Sequence, residues 1–135
     1  MDAGDTVTAR QAAVGQLRIL VVDDHAGFRR RARSLLEEAG LDVVGEAADG
    51  RECLEAVTVL HPDAVVLDIR LPGDDGFVVA DRLAALERPP SVVLVSSRSL
   101  ADFGARSLPS CVRGFIAKAD LSATALRALL ADEPA

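Results

Sequence analysis

The residues of this chain that could do chemistry stand at the ends of short apolar runs. Ala64, Val65, Val66 and Leu67 lead without interruption into Asp68, and Pro72, Gly73 and Gly76 mark a turn directly after it. A second run, residues 17–22 with Arg18 near its start, stops at Asp23 and Asp24. Apolar runs of this length, rich in β-branched residues and bounded by turn formers, suit strands buried on both faces of a parallel sheet. Open α/β sheets place their ligands at the carboxyl ends of such strands. If the two strands lie side by side, three carboxylates converge on one small site. Like charges packed together raise each other's pKa and cost free energy unless a cation neutralises them. Oxygen donors in that number suit Mg2+, which takes one or two carboxylates, several waters and a phosphate oxygen.

Two more apolar runs end in functional groups. Residues 92–95 lead into Ser96 and Ser97, and residues 113–117 lead into Lys118. Four strand ends aimed at one edge are harder to explain as turn chemistry than any one alone. Several site types lack their residues: no Gly-rich phosphate loop follows a strand, His25 and His61 have no ligand neighbours at metal spacing, and Ser96 has no histidine partner for acyl chemistry. What remains is an exposed carboxylate beside a divalent cation, with an ammonium and a hydroxyl nearby. A carboxylate can attack a phosphoryl group and hold it as an acyl phosphate. Mg2+ and Lys118 would neutralise the transferring oxygens, and the Ser96 hydroxyl would donate to the new phosphate.

The elements that must position these groups alternate along the chain. After Asp24, the residues Phe28, Ala32, Leu35, Leu36 and Ala39 recur at helical spacing up to Gly40. Arg29, Arg30, Arg31 and Arg33 on this helix read as a solvated face or as a dock for an anionic partner. Residues 41–47 form the second strand pattern. Asp49 with Glu52 three residues on resembles a capping box, Leu54, Val57, Val59 and Leu60 supply the buried side, and His61-Pro62 ends that helix. A third helix runs from Gly76 through Phe77, Val78, Ala80, Leu83, Ala84 and Leu86 to Pro89-Pro90. Ser99 and Asp102 signal a fourth helix, weakened by Gly104 and Pro109. A last helix carries Leu121, Leu126, Leu129 and Leu130. This alternation predicts a parallel sheet with right-handed crossovers and helices on both faces.

Composition narrows the function classes. The 135 residues suffice for one domain, and with four Phe and no Trp or Tyr its core must be aliphatic. A net charge of −6 argues against general nucleic-acid binding and against an anionic membrane surface. No apolar run approaches a membrane span and no signal pattern opens the chain, so a cytoplasmic location is expected. Cys53 and Cys111 stand alone and are expected as buried free thiols.

Taken as a set, Asp23-Asp24, Asp68 with Leu71-Pro72 and Gly76 after it, Ser96-Ser97 and Lys118 resemble the receiver domain of bacterial two-component response regulators. The resemblance runs from about Leu17 to Leu130 and extends to residues 19–25 and 44–50, which are similar to the subgroup joined to helix-turn-helix output domains. It implies a flavodoxin-like (CheY-like) doubly wound α/β fold with five parallel strands in the order 2-1-3-4-5. It implies a receiver over residues 17–131, with 1–16 as a mobile extension and 132–135 as a tail. Asp68 would accept a phosphoryl group from a histidine kinase. Asp24 would bind Mg2+ directly, Asp23 largely through water, and the Arg70 carbonyl would also face the metal together with Asp68. Lys118 would pair with Asp68 and then with the phosphoryl oxygens, Ser96 takes the switch hydroxyl position, and Phe115 that of the aromatic rotamer switch. Such a domain catalyses only its own phosphorylation and dephosphorylation. It would signal to an unknown downstream protein through its fourth helix, fifth strand and last helix, with a homodimer through that surface as an option.

The sequence departs from the pattern at Ala119, where many receivers carry proline, and at Cys111-Val112, where Gly-Ala is common. It ends soon after the last helix, which implies a stand-alone receiver or one whose output half was removed. Arg70 and Arg98, each two residues past a site residue, would lean over the phosphoryl group and hinder water, or else are solvated loop arginines. An alternative is a phosphorylation-independent binding module with the same fold. A dehalogenase-type phosphatase also uses an aspartate nucleophile and Mg2+, but wants a second aspartate where this chain has Arg70.

Overall fold

The structure, a computed structural model, describes residues 17–98 and 107–131. The expected extension at 1–16, the helix signalled by Ser99 and Asp102, and the tail at 132–135 lie outside the described residues. In chain order the elements are β1 (Arg18–Val22), α1 (Ala26–Glu38), β2 (Asp42–Ala47), α2 (Gly50–Leu60), β3 (Ala64–Asp68), α3 (Gly76–Ala84), β4 (Ser91–Ser96), β5 (Val112–Ala117), a 3-10 turn (Lys118–Asp120) and α4 (Ala123–Leu130). The strands form one sheet in the order β2-β1-β3-β4-β5, and every pairing is parallel. The parallel sheet is the one expected from the alternation, and its doubly wound order is the one the resemblance implies.

Successive strand residues face opposite sides of a sheet, so each strand feeds two cores. Ile19, Val21, Val66, Val93 and Val95 pack beneath α1 and α4 with Phe28, Ala32, Leu36 and Leu126. Leu20, Val22, Val65, Leu67, Val92 and Leu94 pack beneath α2 and α3 with Cys53, Val57, Phe77 and Leu83. The central strand β3 is buried at every position, which is why its sequence is apolar without alternation. At ~25 cal/mol per Å2 of apolar surface, each buried Val or Leu there contributes about 1.5–3 kcal/mol against the chain entropy it opposes.

Side-chain caps set where the helices begin. Asp49 Oδ1 accepts from the Glu52 amide at 2.8 Å while Glu52 Oε1 accepts from the Ala48 amide at 2.8 Å, as the capping-box pattern predicts. Asp75 and Ser122 cap α3 and α4 with one bond each, accepting from the Val78 and Ala125 amides. His61, at φ 49°, turns the chain out of α2.

Three expectations need correction. Val59 is 74% exposed, because it lies two residues, about 200°, from Val57 and so faces away from the Gly50, Cys53, Val57 stripe. The helix α3 stops at Ala84, and Leu86 packs against the core from the turn that follows. Cys53 is buried, its thiol pushed up to about 12 by desolvation, whereas Cys111 is only half-buried.

The loop after β3 is closed by an isolated bridge between Arg70 and Asp75 and by a bond from the Gly76 amide to the Ile69 carbonyl. Gly76 is required here by space: a Cβ would lie 2.4 Å from the Asp68 carbonyl oxygen and 2.7 Å from the Ile69 Cα. Both are backbone atoms and cannot swing aside. Gly76→Ala should therefore lower stability by about 2 kcal/mol or more in urea denaturation. Gly27→Ala, in α1 with nothing within 4 Å of the added carbon, should be neutral or raise it by up to about 1 kcal/mol.

Candidate functional site

The register of the sheet brings the four strand ends to one edge. Val22 pairs with Leu67, Asp68 with Val95, and Ser96 with Ala117. Each next residue (Asp23, Asp68 itself, Ser96 and Lys118) leaves its strand within one step of the same level. A cavity of about 440 Å3 opens there, lined among others by Asp24, Asp68, Ser96 and Lys118.

Asp23, Asp68 and Ser96 are buried, and Asp24 is exposed. Lys118 Nζ reaches Asp68 Oδ2 at 3.3 Å and contacts Asp23 Oδ2 more closely still. Asp68 Oδ1 accepts from the Arg70 amide at 3.2 Å, and Ser96 Oγ accepts from the Arg98 amide at 3.0 Å. Burial holds the Asp68 carboxyl above the usual aspartate range; the Asp23 charge pushes the same way, while the Arg70 amide and Lys118 partly offset it. An ionised Asp68 is thus strained electrostatically, a state that favours a cation or a bond to an electrophile.

The donor set fits a hard cation. Oxygens of Asp23, Asp24 and Asp68, with a ring nitrogen of His25, all lie within 4.8 Å of one another. Asp23 Oδ2 is buried and makes no hydrogen bond of good geometry, meeting only the Lys118 ammonium. Asp24 is the carboxylate of the three with solvent access, which leaves room for water beside it.

Each expected residue can now be placed. Asp23, Asp24, Asp68 and Lys118 are brought together, and Ser96 lines the same cavity. Arg70 and Arg98 line it too, both exposed. Phe115 is half-buried on β5, against the core beneath α2 and α3. The closest partner of Lys118 is Asp23, a pairing that spacing alone does not indicate. His25 precedes α1 and its Nδ1 sits 3.1 Å from Asp23 Oδ1 and 3.0 Å from Asp24 Oδ1.

The arginines of α1 are not one solvated face. Arg29 Nε meets Glu46 Oε1 at 3.0 Å and its NH1 donates to the Asp23 carbonyl. Arg33 Nε meets Glu46 Oε2 at 2.8 Å, and its NH1 donates to the Val43 carbonyl at 3.0 Å. Arg30 and Arg31 are exposed. Through Arg29 and Glu46, the end of β2 thereby holds the backbone at Asp23. Glu46 lies outside the sequence-derived site; its position near the carboxyl end of β2, paired with Val21 two residues before Asp23, is the signal that could have found it.

The model of the response regulator receiver domain family matches residues 19–130. The chain belongs to that family. It is 46% identical over 92 residues to a protein-glutamate methylesterase/protein-glutamine glutaminase of Alkalilimnicola ehrlichii, covering 67% of this chain and 23% of that protein. It is 37% identical over 97 residues to the transcriptional regulatory protein PdtaR of Mycobacterium tuberculosis, covering 70% and 47%. The chain spans about half the length, or less, of these curated relatives. Its fold is similar to the signal receiver domain of the response regulator NarL from Mycobacterium tuberculosis, with a TM-score of 0.77, 32% identity, and coverage of 87% and 98%. Among the described residues, no helix of this receiver domain is long and apolar enough to cross a membrane.

The Arg29–Glu46–Arg33 cluster has a pH signature. The hydrogen bond from Arg33, with that from Arg29, holds the Glu46 carboxyl below its usual range. A lowered native pKa contributes stability above the ordinary glutamate range, and that stability is lost as pH falls through the lowered value. Glu46→Gln should cost about 1 kcal/mol at pH 7 and progressively less as pH falls below the ordinary glutamate range, read as a narrowing gap between the urea midpoints of the two proteins across an acid series.

Proposed function

We propose that this receiver domain is a phosphorylation-dependent switch of a two-component system, with Asp68 as the phosphoacceptor, a histidine kinase as the donor and residues 17–131 as the switching unit. The observation that carries this reading is Asp68 itself. It is a buried carboxylate with a raised pKa, bonded to one ammonium and open to a cavity shared with Asp24 and Ser96.

An Asp68 carboxylate oxygen attacks phosphorus, the bond to the donor nitrogen breaks, and the imidazole leaves with its electron pair. Asp68 is left as an acyl phosphate. Asp23, Asp24 and Asp68, with the Arg70 carbonyl, would hold Mg2+, which when bound neutralises charge on the transferring oxygens. Lys118 would move from Asp68 Oδ2 onto a phosphoryl oxygen. The Ser96 hydroxyl, now accepting from the Arg98 amide, would turn to donate to the phosphate. That shift would open space for Phe115 and bias the surface of the helix expected between β4 and β5, β5 itself and α4. A downstream protein, or a second copy of the chain, would read that surface. Arg70 and Arg98 would flank the phosphoryl group at the cavity mouth and slow the approach of water.

With acetyl phosphate or phosphoramidate and Mg2+, wild-type protein should gain one phosphoryl group by intact mass, and Asp68→Asn none. Chelation with EDTA should abolish labelling, and Lys118→Ala should slow it about 100-fold. Equal labelling of wild type and Asp68→Asn would remove Asp68 as acceptor. In the labelled protein, Arg70→Ala and Arg98→Ala should each shorten the phosphate lifetime. An unchanged lifetime in both would return these arginines to solvated loops.

A further inference from the structure

We propose that Phe28 is a positioning residue for Lys118, its ring face holding the ammonium beside Asp68 and steadying it as it passes to a phosphoryl oxygen. The inference rests on the assignment of Asp68 as phosphoacceptor.

The Lys118 Nζ lies 4.7 Å from the centroid of the Phe28 ring, well inside the reach of a cation–π contact. Both groups are largely withdrawn from water: Phe28 is 7% exposed and the Lys118 side chain 16%. Desolvation of this kind strengthens the attraction between ammonium and ring. Phe28 comes from the first turn of α1, directly after the acidic pair, and packs with Val21, Val95 and Ile116 beneath that helix. The ammonium is therefore bounded by two carboxylates, Asp23 and Asp68, and by a π face on an element of its own.

The ring has a role the carboxylates cannot fill. Once Asp68 is phosphorylated, its carboxyl group no longer carries its charge, and Asp23 alone would draw the ammonium back from the phosphate. A π face attracts a cation anywhere above its centre within about 6 Å, so the ammonium at 4.7 Å can shift a short way toward the phosphoryl group and keep that contact. An aliphatic residue of similar size would fill the same core space but offer no negative face. A second cation, Arg31, lies 5.9 Å from the same ring at the outer limit of such contacts and is exposed, which makes it a control for the ring's wider electrostatics.

A plain core aromatic and a positioning aromatic respond differently to fluorination, which drains electron density from the ring with little change of shape. Site-specific replacement of Phe28 by mono-, di- and trifluorophenylalanine should slow phosphorylation by acetyl phosphate stepwise, by about three- to tenfold across the series, with urea midpoints unchanged. Phe28→Leu should be slowed at least as much, and Arg31→Ala not at all. A rate that stays flat across the series in labelled protein overturns the proposal, as does an Arg31→Ala variant slowed like Phe28→Leu. Without any phosphodonor, the Lys118 ε-methylene protons should be shifted upfield by ring current in the wild type and return toward ordinary values in Phe28→Leu. No such shift in the wild type would equally overturn the contact. If Asp68 is never labelled, the acceptor assignment fails, while the ring-current measurement still decides whether Phe28 holds the ammonium.

Discussion

The structure depends on one electrostatic constraint: two buried carboxylates, Asp23 and Asp68, stand on adjacent strands and share a single ammonium, Lys118. Moving any one of these charges out of water costs several kcal/mol, and together they are tolerable only because each meets a partner. One positive charge between two negative ones leaves the group under-neutralised. A divalent cation at the open side, or a phosphoryl group on Asp68, would change that balance. The rest of the fold serves to hold these three side chains at contact distance when nothing in the local chain would do so.

Holding them is the task of the sheet. Asp68 and Lys118 are fifty residues apart in the chain, and only the parallel register of β3, β4 and β5 brings them to 3.3 Å. The aliphatic strands are buried on both faces, so a shift of one residue would turn core side chains toward the wrong layer and is strongly resisted. At the margin of the sheet, Glu46 on β2 and Arg29 on α1 hold the backbone of Asp23. On the far side of Asp68, the bridge between Arg70 and Asp75 and the close approach of Gly76 fix the loop. The acidic pair and Asp68 are thus secured from both ends, and Phe28 adds an apolar wall behind the lysine.

Much of this was legible in the sequence. The uninterrupted apolar run before Asp68 marks a strand buried on both faces, and the alternation of such runs with helical periods implies a parallel sheet. Asp49 and Glu52 announce the start of α2 because capping is local chemistry between residues three apart. The misreadings share a physical origin too. Val59 is apolar but lies on the outward side of α2, and composition does not tell which side of a helix a neighbouring layer will cover. Arg29 and Arg33 look like part of a surface cluster until β2 is laid beside α1 and supplies Glu46 to both.

By itself, then, the order of residues determined the element types, the parallel character of the sheet and the acidic, hydroxyl and ammonium groups that end the strands, because each of these follows from periodicity or from neighbours a few positions apart. The strand order came from the family resemblance. Only the tertiary structure decided that Lys118 lies closer to Asp23 than to Asp68, that Glu46 braces the acidic loop, and that Phe28 lies against the lysine. Those contacts join residues on different elements, and their distances depend on strand register and helix docking, which no local pattern encodes.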